Sequence, residues 1–472
     1  MLFNSFEFPV FLGLVLVVYF LLGTRGQNRW LLLASYVFYG WWDWRFLSLL
    51  AISTVVDFFC ARGIAASDDR RHRRRLLQVS LATNLGILGF FKYFDFFSES
   101  AAELLTGLGV HASPLMLEVV LPVGISFYTF QTLGYTIDVW RGDSRPARHL
   151  LDFALYVAFF PQLVAGPIER ARQLLPQIEN PRHVGREDVA AAAQLLAIGF
   201  FKKLCIADSV APYVDRAFND PGALSASQIL LATYLFAFQI YGDFSGYTDI
   251  ARGAARLLGI KLSVNFRQPY LSASITEFWR RWHISLSTWL RDYLYIPMGG
   301  NRRDPARTYR NLIATMLIGG LWHGAAWHFV VWGGLHGVAL AVERIVTGRT
   351  VSSHDTGEAP RGLRRVLSIV LTFHGVCLLW VLFRADSLSA AAAFLSGLGG
   401  TWALPPLEWA VVALFALVSM LALDLHSWRT DAELPVHAQW PAWVQGAVLA
   451  GLLTAISFIG TQNARPFIYF QF

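Results

Sequence analysis

Charged residues are scarce in this sequence. Only 15% of its 472 residues are Asp, Glu, Lys or Arg, whereas soluble domains carry about 25%. Hydrophobic residues make up 55%, and apolar stretches long enough to cross a bilayer recur along the whole chain. This balance excludes an ordinary soluble protein. It predicts an all-α, polytopic integral membrane protein with about 11 to 13 membrane-embedded helices, some of them re-entrant or amphipathic.

Cysteine is nearly absent as well. The three cysteines, Cys60, Cys205 and Cys377, are an odd number without paired spacing, and each lies in an apolar stretch. They offer no disulfide framework, so we expect them to pack in the protein core. The histidines of the apolar stretches lack the spacing of zinc sites and have no accompanying carboxylate. The sequence therefore predicts no metal site.

Signatures of several other protein classes are missing. The sequence has no phosphate-binding P-loop, no dinucleotide fingerprint and no Gly-x-Ser-x-Gly nucleophile elbow. Its net charge of +7 does not require nucleic acid, because the basic residues gather between apolar stretches, as in residues 70–75. Cytoplasmic loops of membrane proteins show this bias. We therefore expect membrane lipids around the chain and no nucleic-acid partner.

The basic loops also predict an orientation. Arg25 and Arg29 follow the first apolar stretch, residues 70–75 follow the third, and residues 41–44 are aromatic and nearly uncharged. By the positive-inside rule, the N-terminus and residues 41–44 lie outside, and residues 70–75 are cytoplasmic. The first stretch lacks a basic start and a cleavage site, which predicts a retained span. The expected segments lie near 8–22, 30–42, 46–61, 76–94, 117–139, 151–166, 187–209, 228–247, 311–321, 325–346, 364–383, 408–425 and 442–460.

One ionisable residue stands in a stretch that otherwise suits lipid. His323 lies in the middle of residues 311–337, among six glycines and three tryptophans. An ionisable group at bilayer depth is rarely kept without a cavity, a partner or a task, and an imidazole exchanges protons near neutral pH. His323 is therefore a candidate catalytic residue, although a packing role stays open from this pattern. His328 and His336 each lie about 140° away around a helix, so we expect them to pack or to bond to carbonyls.

A second histidine lies in a more polar region. Residues 262–310 are too charged to span and too aromatic for a plain linker, which predicts an amphipathic helix against the membrane or the helix bundle. At about 100° per residue, His283 shares a face with aromatic and aliphatic residues, whereas Ser285 lies largely elsewhere. The members of this face are Trp279, Trp282, His283, Leu286, Trp289 and Leu290. His283 should thus face a partly dry environment, as a functional group or as a buried histidine with a satisfied hydrogen bond.

Three further stretches carry polar residues among apolar ones. Asp243 follows an apolar span without a compensating cation, and Gly242 and Gly246 suit a bend that lines a substrate path; a helix end capped by Asp243 or Ser245 is the alternative. Residues 121–131 and 160–170 carry embedded glutamines, and the prolines of the latter would break a helix at membrane depth. The candidate substrate-binding residues are Asp243, Ser245, Gln131, Gln162, Trp322, Trp282 and Ser285. The sequence also predicts a polar loop at residues 348–363.

Eight further stretches of the chain are distinctive: MLFNSFEF, LPVGISFYTFQTLGYTIDVWRG, FPQLVAGPI, YGDFSGYTDIARG, NFRQPYLSASITEFWRRWHISLSTWLRDYLYIPMGGNR, GGLWHGAAWHFVVWGGLHG, WVLFRAD and the terminal FIYFQF. With these stretches, the chain resembles the membrane-bound O-acyltransferase (MBOAT) superfamily, and within it the bacterial alginate O-acetyltransferase branch. The resemblance covers nearly the whole chain, which implies one MBOAT membrane domain over residues 1–472. Within it, N-terminal helices fill 1–261, the amphipathic belt 262–310, the catalytic histidine helices 311–346 and C-terminal helices 347–472.

The resemblance implies a function and two site residues. His323 corresponds to the invariant catalytic histidine of the superfamily, and His283 to its second, polar-or-histidine position. The implied enzyme is an acetyltransferase of the bacterial inner membrane that moves an acetyl group from a cytoplasmic thioester to an exported polysaccharide such as alginate. Acetyl-CoA or an acyl-carrier thioester would be a donor substrate, with no cofactor, and a separate periplasmic acetyltransferase would be a partner.

Two alternative functions stay open. A D-alanyl transferase to teichoic acid keeps the family and changes the substrate, but the two ends of the chain favour the acetyl branch. A transporter or channel for an acyl carrier or a polysaccharide would use His323 as a proton relay. It should show inverted repeats, and the sequence has no evident repeat.

Overall fold

All regular secondary structure in the part of the chain that the structure describes is helical. The structure is a computed structural model that describes residues 1–164, 166–302, 304–348, 362–430, 440–460 and 465–470. Most of the expected polar loop 348–363 and the last two residues of FIYFQF lie outside the described residues. The α-helices are α1 Glu7–Phe20, α2 Thr24–Asp43, α3 Leu47–Ala66, α4 Arg70–Leu88, α5 Phe94–Gly107, α6 Ile125–Arg141, α7 Leu150–Ala158, α8 Phe160–Leu163, α9 Ala171–Glu179, α10 Arg186–Phe200, α11 Asp208–Asn219, α12 Ala226–Leu257, α13 Ile275–Arg281, α14 Ile284–Leu290, α15 Pro305–His323, α16 Trp327–Thr347, α17 Gly362–Arg384, α18 Leu388–Ser396, α19 Leu407–Thr430 and α20 Ala442–Ile459.

Among the described residues, five stretches combine the length and the apolar character of a membrane span. Three shorter apolar helices accompany them, at Glu7–Phe20, Leu388–Gly399 and Trp443–Ile459. The remaining expected segments are shorter or carry more polar residues, as α7 and α8 do. The chain is therefore a multi-pass, all-α membrane protein. The five stretches are Thr24–Ala66, Arg186–Asn219, Trp327–Thr347, Gly362–Arg384 and Leu407–Thr430.

The helices observed at the segments expected near 117–139 and 151–166 differ from the prediction. The segment expected at 117–139 begins only at Ile125, because Gly124 has a left-handed backbone (φ +76°) that ends the preceding irregular stretch. A side chain at Gly124 would also press against the Leu163 carbonyl oxygen. The segment expected at 151–166 is split between α7 and α8, and Pro161 stands in the first turn of α8. The predicted helix break at Pro161 is therefore confirmed.

The described residues fall into two compact units. The first unit contains Met1–Ala192 and Ala251–Ser263, and the second contains Ala193–Ile250 and Val264–Phe472. The three cysteines are free and buried, as predicted. Each unit has its own core, and the two are described separately below.

A buried polar cluster joins three helices of the first unit. Asp57 of α3 accepts hydrogen bonds from Ser80 Oγ and from Asn84 Nδ2, both on α4. Asn84 Oδ1 in turn accepts from Ser53 of α3 and Thr132 of α6. A carboxylate removed from water is costly unless its oxygens are hydrogen-bonded, and this network meets that need. It fixes the mutual arrangement of α3, α4 and α6.

The helices α15 and α16 form an antiparallel pair in the second unit. A Cβ atom on Gly320 would overlap the Phe329 carbonyl oxygen, and one on Gly333 would overlap that of Met316. Only glycine permits so close an approach of two backbones. The glycines of residues 311–337 therefore bring these two helices into close contact. The pairing presents His323, the last residue of α15, to the interior of this unit.

Candidate active site

His323 lies in an aromatic enclosure. It is the last residue of α15, with 4% of its surface exposed, and Gly324 after it is extended. Its ring centroid lies 5.0 Å from Trp322, 5.1 Å from Trp332 and 5.5 Å from Tyr469. The surroundings therefore hold an imidazole away from bulk water, which strengthens any electrostatic interaction that it makes there.

His283 occupies an unusual backbone position. It joins α13 to α14 with a left-handed conformation (φ +43°), which is uncommon for a residue other than glycine. Asn265 holds this turn, because its carbonyl oxygen accepts from Ile284 N and its side-chain oxygen accepts from Ser285 N. The His283 side chain is fully buried. Burial lowers the pKa of the His283 imidazole below its usual range, so the ring is neutral at physiological pH.

The fold brings the two histidines together. Their ring centroids are 6.5 Å apart. Trp322 and Tyr469 each lie against both rings, with centroids 6.0 and 6.4 Å from that of His283. Two imidazoles at this separation are close enough for one small reacting group to contact both, since hydrogen bonds reach about 3 Å. This pair is the centre of the candidate active site.

The local structure that buries His283 differs from the predicted one. The sequence predicts one amphipathic helix through residues 262–310, but the chain forms α13, a break at Trp282 and His283, α14 and a π-helix at Arg291–Tyr295. The prediction of one helix is therefore wrong. The members of the predicted aromatic face are nevertheless buried. Ser285, which was expected away from that face, is buried too.

His328 and His336 take supporting positions. His328 Nδ1 lies 3.0 Å from the Leu382 carbonyl oxygen, as expected for a histidine that bonds to a carbonyl. His336 Nδ1 accepts a hydrogen bond from Trp279 Nε1 at 3.3 Å, and its ring packs 4.9 Å from Trp332. Among the described residues, no group of three or more His, Cys, Asp or Glu side chains could hold a metal ion.

Asp243 does have a cationic partner. Lys203 Nζ lies 2.7 Å from Asp243 Oδ1 and 2.8 Å from Asp208 Oδ1. The expectation of a carboxylate without a compensating cation is therefore wrong. A lysine in an apolar stretch, as at Lys203, needs a buried anion, and this was the signal that sequence reasoning missed.

The expected bend around Asp243 is also absent. The helix α12 runs on through Gly242, Asp243 and Ser245, so the alternative of a capped helix end is wrong as well. The glycines instead allow close packing: a side chain on Gly246 would overlap the Gly199 carbonyl oxygen. Ser245 is buried beside them.

A C-terminal segment lines the histidine pair, which sequence reasoning did not predict. Ile468 N donates a hydrogen bond to Asp243 Oδ2 at 2.6 Å. The next residue, Tyr469, packs 4.6 Å from Phe244 and 5.5 Å from His323. The motif FIYFQF marked the family resemblance, but nothing in its residues indicates where it lies.

The remaining candidates divide between the two units. Trp322 lines the histidine pair, whereas Trp282 packs behind it against Trp380 and Phe266, at 5.0 Å from each ring. Gln131 and Gln162 belong to the first unit and form a reciprocal amide pair: each Nε2 donates to the other's Oε1, at 3.1 and 2.9 Å. The two glutamines, predicted as substrate-binding residues, therefore bond to each other within the first unit.

A cavity of about 690 Å³ lies within the second unit, and Ile284, the residue after His283, is part of its lining. Its lining includes the arginines Arg280, Arg291 and Arg302, and Trp279 contributes to its apolar wall. The Trp279 ring packs 5.9 Å from Trp332, which itself lies against His323. The rings of Trp279 and Trp332 therefore lie between this arginine-rich cavity and the candidate catalytic histidine.

Comparison with known proteins identifies the family. The sequence model of the MBOAT, membrane-bound O-acyltransferase family matches residues 145–362. A probable alginate O-acetylase AlgI of Azotobacter vinelandii is 40% identical, with 99% of both chains covered. A peptidoglycan O-acetyltransferase of Helicobacter pylori is 38% identical over 85% of this chain and 80% of the relative. A teichoic acid D-alanyltransferase of Bacillus subtilis is 30% identical over 55% of this chain and 68% of the relative. The chain belongs to the membrane-bound O-acyltransferase family and is an acyltransferase.

Proposed function

We propose that this acyltransferase takes an acetyl group from a cytoplasmic thioester and passes it across the membrane for O-acetylation of an exported polysaccharide such as alginate. The observation that carries the proposal is the buried pair of imidazoles, His283 and His323, with centroids 6.5 Å apart. The relatives that match most of the chain are named for O-acetyl transfer, to alginate and to peptidoglycan. The D-alanyl alternative has support from a relative that matches 55% of the chain.

The chemistry assigns a role to each histidine. His323 acts as the general base: it removes the proton of the acceptor hydroxyl as the oxygen attacks the thioester carbon. The new C–O bond forms, the C–S bond breaks, and the proton passes from His323 to the departing sulfur. Positioned base catalysis contributes about 10²- to 10⁴-fold. The neutral His283 orients the acceptor, donates to the oxyanion or relays the proton. A covalent acyl-His323 intermediate is a variant of the same scheme.

The donor enters through the arginine-rich cavity. Thioester carriers bear phosphate groups, and guanidinium groups bind phosphates with paired hydrogen bonds. Arg280, Arg291 and Arg302 supply such groups, while the wall at Trp279 suits the acyl end. The reaction needs no cofactor in this scheme, because the thioester itself is the activated group.

The proposed location is the bacterial inner membrane, with the N-terminus outside and residues 70–75 cytoplasmic. The basic residues 70–75 lie at the start of α4 and are mostly exposed, whereas Trp41, Trp42 and Trp44 expose their rings at the end of α2, as an outer interfacial belt would. In a cysteine-free background, a cysteine at position 72 should react with an impermeant reagent in inverted vesicles and not in intact cells. Labelling in intact cells would contradict the orientation.

The acetyl group reaches the polymer through a second protein. The regular elements of the described residues are all helices, and these residues include no separate soluble domain that would grip a polymer. We therefore propose a relay to a separate periplasmic acetyltransferase. Purified protein in liposomes, given labelled acetyl donor and polymer, should consume donor slowly and acetylate polymer efficiently only after the second protein is added. Efficient acetylation without it would contradict the relay; no donor use under any condition would contradict the proposed reaction.

The same reconstituted system tests whether the thioester binds in the arginine-rich cavity. Arg291→Ala should raise KM for the thioester by about tenfold, the loss typical of one charge-assisted hydrogen bond, with little change in kcat. Arg307→Ala is the matched control, because Arg307 is an exposed arginine of α15 that pairs with Asp304 outside the cavity lining. Equal KM values for the two variants would contradict donor entry at this cavity.

A further inference from the structure

The C-terminal segment 465–470 is fastened to the second unit at two carboxylates. Arg465 Nη1 lies 2.7 Å from Asp215 Oδ2, and the other oxygen of Asp215 pairs with Arg384 at 2.9 Å. Farther along, Ile468 N donates to Asp243 Oδ2 at 2.6 Å. The first contact is half-exposed and the second is buried. The buried contact therefore sets where the residues after Ile468 lie.

Asp243 is held rigidly in this contact. Its Oδ1 atom pairs with Lys203 Nζ at 2.7 Å, and the same ammonium group pairs with Asp208 at 2.8 Å and lies 5.5 Å from the Tyr247 ring centre. All three charged side chains are nearly inaccessible, with 1 to 4% exposed. A buried charge of this kind is costly to move, because every other position would leave it without a partner. Both carboxylate oxygens are thus committed within the protein.

The contact controls the histidine pair from two directions. Ile468 precedes Tyr469, whose ring lies 5.5 Å from His323 and 6.4 Å from His283. Asp243 precedes Phe244, whose ring lies 4.7 Å from His283 and 4.6 Å from Tyr469. A shift of the hydrogen bond between Asp243 and Ile468 therefore moves two walls of the site at once.

We propose that Asp243 is a positioning residue for acyl transfer: oriented by Lys203, it fixes residues 467–469 against the histidine pair through the Ile468 N–H. This assignment replaces direct substrate binding by Asp243, and it rests on the proposed role of the two histidines. Misplacement of reacting groups by about 1 Å costs about 10²-fold in rate, so loss of this contact should act on kcat.

The most direct test removes the hydrogen-bond donor, the Ile468 N–H, and leaves the Asp243 carboxylate unchanged. Ile468→Pro deletes the backbone N–H, and it lies after the last long helix, so the helices keep their own hydrogen bonds. We expect kcat to fall by about 10- to 100-fold with KM for the thioester within about twofold. Ile468→Val, which keeps the N–H, is the matched control and should lose far less. Wild-type kcat in Ile468→Pro would overturn the proposal.

A second pair of variants tests the hydrogen-bond acceptor, the side-chain oxygen of residue 243. Lys203→Met with Asp243→Asn, and Lys203→Met with Asp243→Ala, both lose the buried ion pair and leave Asp208 in the same situation. The asparagine variant alone keeps an oxygen for the Ile468 N–H. It should have a kcat at least about tenfold above that of the alanine variant at equal protein levels. Equal kcat values would overturn the proposal.

These outcomes are separable from failure of the proposed function. The wild-type and Ile468→Val proteins report on the reaction itself, and His323→Ala reports on the histidine pair. If His323→Ala were fully active, the proposed function would be wrong whatever the Asp243 variants do. If His323→Ala is inactive while Ile468→Pro has normal kcat, the proposed reaction stands and the positioning role of Asp243 is wrong.

Discussion

Replacement of His323 by alanine or by glutamine should abolish acyl transfer while expression and membrane insertion remain normal. His323 ends α15 at the point where Trp322, Trp332 and Tyr469 enclose it. Glutamine retains polarity and much of the volume, but it cannot accept a proton from a hydroxyl. Acetylation of the exported polymer, measured in a deletion strain complemented with each variant, gives the result. We expect at least the loss of about 10² to 10⁴ that a positioned base contributes.

The glutamine variant separates chemistry from packing. If His323 only filled its enclosure, glutamine would restore a good part of what alanine loses. Membrane levels of both variants must match the wild type, because Gly320 and Gly333 place α15 tightly against α16 and any shift there would also disturb the fold. Near-normal acetylation by either correctly inserted variant would show that His323 is not the base.

The helices were predictable where local pattern alone decides them. Apolar length marks α17 and α19, and glycine spacing marks the close pair α15 and α16, because bilayer thickness and backbone approach act on neighbouring residues. The break at His283 was not predictable in this way. The helical periodicity of Trp279–Leu290 continues across it, and the turn is held by Asn265, which lies well upstream in the chain.

In the candidate site, too, local sequence pattern was predictable and contacts between distant parts of the chain were not. The pattern of the surrounding residues marked both His323 and His283 as candidates, and the family resemblance then implied a catalytic role for His323 and the second site position for His283. The ion pair between Lys203 and Asp243 joins two helices, and Ile468 comes to Asp243 from the far end of the chain. Such contacts are made by tertiary packing, so no window of the sequence contains both partners.

Replacement of His283 by alanine should remove most of the activity, and His328→Ala should have a much smaller effect. The His283 ring lies 6.5 Å from that of His323, whereas His328 bonds to the Leu382 carbonyl oxygen. Removal of one donor to a developing oxyanion typically costs about 10²- to 10³-fold in kcat. Initial rates with the thioester donor in the reconstituted system, at saturating donor, measure this loss directly.

The left-handed backbone of His283 supplies the decisive control. Alanine is strained at φ +43°, whereas asparagine adopts this conformation readily, so His283→Asn keeps the turn between α13 and α14 while it removes the imidazole. If the ring takes part in the reaction, His283→Asn should be nearly as inactive as His283→Ala. Activity close to wild type in His283→Asn would assign His283 to the turn alone, and the reaction would then depend on His323 without a second imidazole.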